Sequence, residues 1–342
     1  MTMARILITG FEPFADYHQN ISQIVVEQFP TLLRLDDPWS DLRQDLLESI
    51  ELSVEKMVLS VDGEGASKVS RLLNDGCKWD AIVHLGLCGS CEKTRIETLA
   101  QNKIQMKIPD NSGRQISGSI YSDLGDFKSN LPVNSWMNLS WPIDCEISKD
   151  AGAFVCNETF YHSLHTLDKI GDKQTRCLFV HLPVEEKCTI EEASSFLSEV
   201  IQRMFFRPVV SVVGGLIWRN GCYLVGRRKG GEMHAGKWEF PGGKVEPNES
   251  KIQAIEREMM EEFSWQVSAS PSIGTWHHSL PDVDIALHIM PLELKSKNLD
   301  NQIAWTSHDS VSWRTLNDDT FLDWLGNDGM VVEWMRKNQY RG

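Results

Sequence analysis

Short unbroken apolar runs punctuate the first two hundred residues: "RILITGF", "KMVLSVD", "DAIVHLGL" and "RCLFVHLP". Between them lie stretches with apolar residues at every third or fourth position, from about Ile21 and again over Ala66–Leu73. The runs read as strands buried on both faces and the stretches as amphipathic helices, so the alternation predicts an α/β class. A helix is expected to close this half over 189–206, "TIEEASSFLSEVIQRMFF". Thr189 and Glu192 have capping-box spacing there, and Phe196, Val200, Ile201 and Met204 supply the inner face. Pro208 stops that helix, and the apolar run "VVSVVGGLIW" follows at once. The expectation is two domains, 1–207 and 208–342, with almost no linker, a division that suits a chain of 342 residues. After the boundary the pattern reads strand, turn ("RNG"), strand ("CYLVGRR"), Gly-rich loop, helix, and then strands such as "IALHIMPLEL".

The helix of the second half lies in "GGKVEPNESKIQAIEREMMEEFSWQV", residues 242–267. Ile252, Ile255, Met259 and Phe263 form an apolar stripe, and Glu258, Glu261 and Glu262 crowd another face. Each like-charge pair at helical spacing costs a few tenths of a kcal/mol, so three carboxylates within five positions ask for a compensating cation. Glu258 and Glu262 stand one turn apart with Glu261 on the same side, which lets their oxygens converge on a hard cation such as magnesium. Arg257 is placed to pair with a neighbouring carboxylate, and Gly242 and Gly243 let the backbone approach metal and phosphate. A lone E-x-x-E-E also fits a solvated acidic face.

Charge narrows the partners. A formal net charge of −14 repels nucleic-acid backbones, so duplex binding is not expected. No stretch reaches the roughly eighteen apolar residues of a membrane span, and "MTMARILITGF" lacks a signal peptide's apolar core, so the expectation is a cytoplasmic protein without membrane contact. Eight cysteines in such a compartment are expected as free thiols; Cys88 and Cys91 in "LCGSC" have metal-ligand spacing but no second pair nearby, and read as a loop coincidence.

The acidic segment does not stand alone. It fits G-x5-E-x7-R-E-U-x-E-E-x-G-U from Gly243 through Glu249, Arg257, Glu258, Glu261 and Glu262 to Trp265, with Ser264 where glycine is usual. On these residues the second half resembles the Nudix hydrolases. The resemblance implies an α/β/α fold with a mixed sheet and magnesium, or manganese in its place, held by Gly243, Glu258, Glu261 and Glu262. It implies water attack on phosphorus with Glu261 among the catalytic residues, which carboxylate serves as base staying open. "GRRKGGEMHAGKWEF" and "WEFPGGKVEP" are similar to the subgroup that cleaves nucleoside triphosphates, oxidised ones included, to monophosphates. That similarity implies that Arg228 touches phosphate or base, Phe240 lines the base pocket, and Asp328 in "GNDGMVVEWM" reads the base edge. The ordinary alternatives are a surface arginine, a core phenylalanine and a helix-capping aspartate.

In the first half, Cys156 of "KDAGAFVCNETFYHSL" follows a glycine-bearing turn and enters a helix whose buried side is Phe160, Tyr161 and Leu164. A thiol at a helix N-terminus is the better nucleophile, although most single cysteines are structural. His181 ends the strand "LFVHLP" and can serve as base, and Glu97 in "TRIETLAQN" can orient it, but spacing alone leaves the trio open. The order "ILITGFEPF", "HLGLCG", E-x-x-A-x-N at Glu97, Ala100 and Asn102, "IPDNSG", "DAGAFVCN" and "FVHLP" resembles pyroglutamyl peptidase I over residues 4 to about 205. The resemblance implies an α/β/α sandwich and a Cys156–His181–Glu97 triad that removes N-terminal pyroglutamate through a thioester, without a cofactor. Phe11, Phe14, Phe154 and Val155 match the positions that hold the lactam ring. Gly89, Ser90 and Cys91 stand where Gly-Gly-Arg is usual in bacterial relatives, and Thr98 where Arg is usual.

The combined expectation is a bifunctional hydrolase whose partners are pyroglutamyl peptides and nucleoside triphosphates, with a homo-oligomer left open. The alternative is that one domain, more readily the peptidase-like one, is a ligand-sensing or oligomerisation module for the other.

Overall fold

The computed structural model describes residues 3–231, 234–295, 306–318 and 321–342. The chain forms two compact units: one takes in residues up to 38, 47–136 and 141–206, the other 39–46, 137–140 and 207–342. Among the described residues no helix is long and apolar enough to cross a membrane.

The first unit is built on a seven-stranded sheet ordered Cys145–Ser148, Thr94–Glu97, Arg176–Leu182, Ala81–Leu87, Ala4–Phe11, Ile50–Leu59 and Leu32–Leu35. Most neighbours run parallel; Arg176–Leu182 meets Thr94–Glu97 antiparallel, and so does Leu32–Leu35 its partner. Along Ala4–Phe11, Leu7 alternates with Ile6 and Ile8 and all three are buried, as unbroken apolar strands require. Leu7, Ile82, Cys177 and Phe179 share one core with Val69 and Leu73 of helix Gly63–Asn74 and with Phe160, Tyr161, Leu164 and Leu167 of helix Val155–Lys169. Asp62 caps the first of these helices, its carboxylate accepting from the Gly65 N–H at 2.8 Å. Helix Ile190–Phe205 opens on the full Thr189–Glu192 capping box and buries Phe196, Val200, Ile201 and Met204.

The second unit holds an eight-stranded mixed sheet. Val209–Arg219 and Asp284–Leu294 run parallel at its centre, and Cys222–Arg228 returns from the first of them by a tight turn. Asn220 and Gly221 both have positive φ (51° and 77°) in that turn, which explains the "RNG" signal. Helix Lys251–Phe263 opens on a Ser250–Gln253 capping box and buries Ala254, Ile255, Met259 and Phe263. Ile252, expected on the same stripe, is 38% exposed. Side chains on a helix lean toward its N-terminus, so one in the first turn projects past the helix end rather than along its buried face. Ser264, standing in place of glycine, ends the helix in the left-handed conformation at φ 56°.

Candidate functional site

Cys156 is the second residue of helix Val155–Lys169, and His181 is the next-to-last residue of the strand Arg176–Leu182. Glu97 ends the neighbouring strand Thr94–Glu97, so the antiparallel pairing of these two strands brings carboxylate and imidazole together. His181 Nδ1 lies 2.9 Å from Glu97 Oε1, and both side chains are buried. Burial opposes charge on the imidazole, but hydrogen bonds to Cys156 and to Glu97 overcome it and raise the His181 pKa to about 9. Glu97 Oε2 is buried without a hydrogen-bond partner. The three candidate residues therefore meet, with the imidazole between thiol and carboxylate.

Room for the thiol comes from a residue that sequence reasoning missed. A Cβ on Gly86 would lie 3.0 Å from Cys156 Sγ and 2.7 Å from the Phe179 ring, so only glycine fits in this strand beside the sulfur. Nothing in the apolar run "DAIVHLGL" marks it except the glycine itself. The rings of Phe14 and Phe154 stand 6.0 Å apart at 35°, each partly buried against the core that contains Phe11 and Val155. Phe11 and Val155 are themselves buried at 2% and 1% exposure, so the two partly exposed rings are the ones open to a ligand. Thr98, where an arginine was usual, is buried and binds the Ser148 carbonyl through both N–H and hydroxyl.

The pair Cys88 and Cys91 corrects an expectation. The two are joined by a disulfide, not free thiols. The cause is local: the Cys91 N–H donates to the Cys88 carbonyl at 3.2 Å, a tight turn that brings the two side chains together. The turn touches the site's surroundings, since the Cys88 N–H donates to the Leu182 carbonyl, next to His181, and Gly89 lies against the Tyr17 hydroxyl.

In the second unit the compensating cation of the acidic helix is Arg257. Its guanidinium reaches Glu249 at 2.8 Å, Glu258 at 2.8 Å and Glu261 at 3.1 Å, and it also donates to the Lys244 carbonyl. Glu249 is held below the ordinary carboxylate range chiefly by its hydrogen bond to Arg257. Burial raises the pKa of Glu258 and of Glu262 instead. A Cβ on Gly243 would lie 2.3 Å from the Glu258 carboxyl carbon, so this glycine is what admits the carboxylate to the backbone. Glu262 has its Oε2 buried and without a hydrogen-bond partner, 3.7 Å from His308 Nδ1. Among the described residues no group of three or more His, Cys, Asp or Glu side chains is set to hold a metal ion as it stands.

The remaining positions are placed as follows. Arg228 Nη1 donates to Glu239 Oε1 at 2.9 Å, a buried partner that sequence reasoning did not single out. Phe240 is buried at 3% exposure, with its ring 6.0 Å from that of Tyr223 and stacked 6.4 Å from that of Trp324. Asp328 is the first residue of helix Asp328–Lys337, after the N-cap Asn327, and its Oδ1 accepts from the Phe240 N–H at 2.7 Å. Burial pushes this carboxyl well above the usual range. Phe240 and Asp328 are thus joined through backbone, and Arg228 is held by Glu239. Glu232 and Met233 of the Gly-rich segment lie outside the described residues.

Comparison with known proteins assigns both halves. The family model described as pyroglutamyl peptidase matches residues 43–206, and that of the NUDIX domain matches 207–332. The pyrrolidone-carboxylate peptidase of Gloeobacter violaceus is 32% identical over 184 residues, which are 52% of this chain and 81% of that protein. That of Enterococcus faecalis is 26% identical over 209 residues, 59% of this chain and 90% of that protein. Among solved structures, pyrrolidone carboxyl peptidase from Thermococcus litoralis is 23% identical, with a TM-score of 0.50 over 59% of this chain and 94% of that one, a likeness of fold.

Proposed function

Because the chain belongs to the pyroglutamyl peptidase family and carries a NUDIX domain behind that part, both of them hydrolase families, we propose that it is a bifunctional hydrolase. The first half removes N-terminal pyroglutamate from peptides, and the second cleaves nucleoside triphosphates to monophosphates in the presence of magnesium.

The observation that carries the reading is the buried 2.9 Å contact of His181 Nδ1 with Glu97 Oε1, with Cys156 among the groups that raise the pKa of the imidazole. His181 holds a proton readily there, which leaves Cys156 as the sulfur nucleophile. The lactam ring packs against Phe14 and Phe154, whose apolar faces suit a small neutral ring. Sulfur bonds to the pyroglutamyl carbonyl carbon, the C–N bond to the next residue breaks, and the leaving amine takes its proton from His181. Water then breaks the thioester, with His181 as base, and releases pyroglutamate. Glu97 holds the ring orientation throughout.

In the second half, Glu258 and Glu262 suit a hard divalent cation: Glu258 is partly buried and Glu262 buried, burial raises the pKa of both, and Glu262 has an orphaned oxygen. With Gly243 and Glu261 they would hold magnesium, whose contribution when bound is to neutralise phosphate charge. Arg257 orients Glu258 and Glu261, and the more exposed Glu261 is the candidate base for the attacking water. Phe240 and Asp328 form the base-facing side.

The test is a substrate panel on the full chain. Pyroglutamyl-coumarin release is read by fluorescence, and normal, oxidised and methylated nucleoside triphosphates with magnesium are resolved by liquid chromatography. Turnover in both arms, lost respectively in Cys156→Ser and Glu261→Gln, supports the proposal; an arm without turnover removes that half of it.

A further inference from the structure

We infer that Glu239 and His308 act as positioning residues that hold Glu262 ready for the cation, an inference that rests on the magnesium-dependent reading of this half. Glu262 differs from the other two glutamates of the helix. Glu258 and Glu261 both reach Arg257, whereas Glu262 is buried at 8% exposure with Oε2 unpartnered. A buried carboxylate oxygen with no hydrogen bond is costly, and such a group persists where something else uses it.

That oxygen lies 3.7 Å from His308 Nδ1, itself buried and without a hydrogen-bond partner. The opposite side of the imidazole is fixed: His308 Nε2 lies 3.0 Å from Glu239 Oε1, and the same oxygen accepts from Arg228 Nη1 at 2.9 Å. The ring is stacked on Phe263, centroids 5.2 Å apart at 25°. Beneath it lies Gly226, where a Cβ would come within 2.5 Å of His308 Cδ2. The slot therefore accepts one flat ring in one plane, with one nitrogen on Glu239 and the other turned toward Glu262.

Three distant pieces of chain meet here. Glu239 ends the strand Trp238–Glu239, just before the strand Gly242–Lys244 that carries Gly243, Glu262 is the next-to-last residue of the acidic helix, and His308 opens the strand His308–Thr315. With Nε2 on Glu239 and the ring held in its slot, Nδ1 faces one oxygen of Glu262 and the other is left for a cation. A carboxylate-anchored imidazole of this kind fixes the direction of the group it supports, and removing it costs about 10- to 100-fold in metal affinity.

The experiment measures Mn2+ binding to the full chain by the electron paramagnetic resonance signal of the free ion, with melting followed by circular dichroism as the folding control. Glu258→Gln reports whether the bound ion is at the helix. His308→Asn places an amide donor near the position of Nδ1, and His308→Gln places it near Nε2. The expected result is His308→Asn within about threefold of wild type and His308→Gln weaker by about tenfold or more, with similar melting. Glu239→Gln, which keeps the shape and an acceptor but removes the charge, is expected to fall between them. Wild-type affinity in His308→Gln, or equal loss in the Asn and Gln variants, overturns the inference while the metal reading stands. Absence of any Mn2+ that Glu258→Gln displaces overturns both.

Discussion

At the scale of single residues, the peptidase-type site depends on a proton and on a missing methyl group. His181 has its pKa raised to about 9, above the ordinary value near 6.5, by its bonds to Cys156 and Glu97 against the opposing effect of burial. A folded pKa above the unfolded one contributes stability that is complete below about pH 6.5 and is lost as pH rises through about 9. The melting temperature of wild type relative to His181→Gln should accordingly stand highest near pH 6 and shrink toward pH 10. An advantage that grows with pH would contradict the assignment. Gly86 carries the second prediction. Alanine there places a carbon 3.0 Å from Cys156 Sγ and 2.7 Å from Phe179, so the sulfur or the ring must move. A displacement approaching 1 Å costs catalysis on the order of 100-fold, so Gly86→Ala should lower kcat/KM for pyroglutamyl release by that order, while nucleotide turnover in the same preparation stays unchanged. Cys156, His181 and Glu97 were legible as chemistry because their residue types sit in recognisable strings. Gly86, Glu239 and His308 were not, because their parts are set by what folds against them: a thiol from another element for Gly86, and a carboxylate at each end of the imidazole for His308.

At the scale of elements, periodicity identified the strands and helices that matter, and local chemistry explains where it fell short. The Thr189–Glu192 capping box stands as its spacing implies, whereas Ile252 left its stripe because a first-turn side chain has no preceding turn to lean on. The Cys-x-x-Cys turn was misjudged because the cysteines were read from the expected compartment as free thiols, whereas the turn holds the two side chains within bonding reach. Alkylation followed by mass spectrometry checks the pairing. Without reductant, iodoacetamide should label Cys77, which is exposed, and Cys156 beside its imidazole. Cys177 and Cys188 are buried thiols whose pKa burial pushes upward, and they should resist. The peptide containing Cys88 and Cys91 should take up label only after dithiothreitol; labelling before reduction would mean the bridge is absent. The end of the acidic helix offers a measure of strain. Ser264 holds φ 56°, a conformation that costs a side-chain-bearing residue roughly 1 kcal/mol relative to glycine. Ser264→Gly should raise the stability of the second unit by about that amount in a urea titration, and a loss instead would show that the serine side chain makes up the difference.

At the scale of the whole molecule, each candidate site is complete within one compact unit. Glu97, Cys156, His181, Phe14 and Phe154 all fall in the first, and Arg228, Gly243, Glu258, Glu261, Glu262 and Asp328 in the second. The two proposed chemistries share no group, since one would attack an amide carbon through sulfur and the other phosphorus through water. A net charge of −14 also bears on them differently, since a small neutral lactam does not feel it and a triphosphate is repelled unless a divalent cation screens it. Perturbing one site should therefore leave the other intact. Chelation with EDTA should end nucleotide turnover and spare pyroglutamyl release, and iodoacetamide should do the reverse. Cys156→Ser should cut pyroglutamyl release by about three orders of magnitude or more at unchanged nucleotide turnover, and Glu261→Gln should cut nucleotide turnover by about 10²- to 10⁴-fold at unchanged release. Both rates are to be read on one preparation of the full chain, so that loss of protein cannot pass for loss of a site. If a single substitution or reagent removed both activities while melting was unaltered, the sites would be coupled, and the second unit would have to be treated as responding to the state of the first.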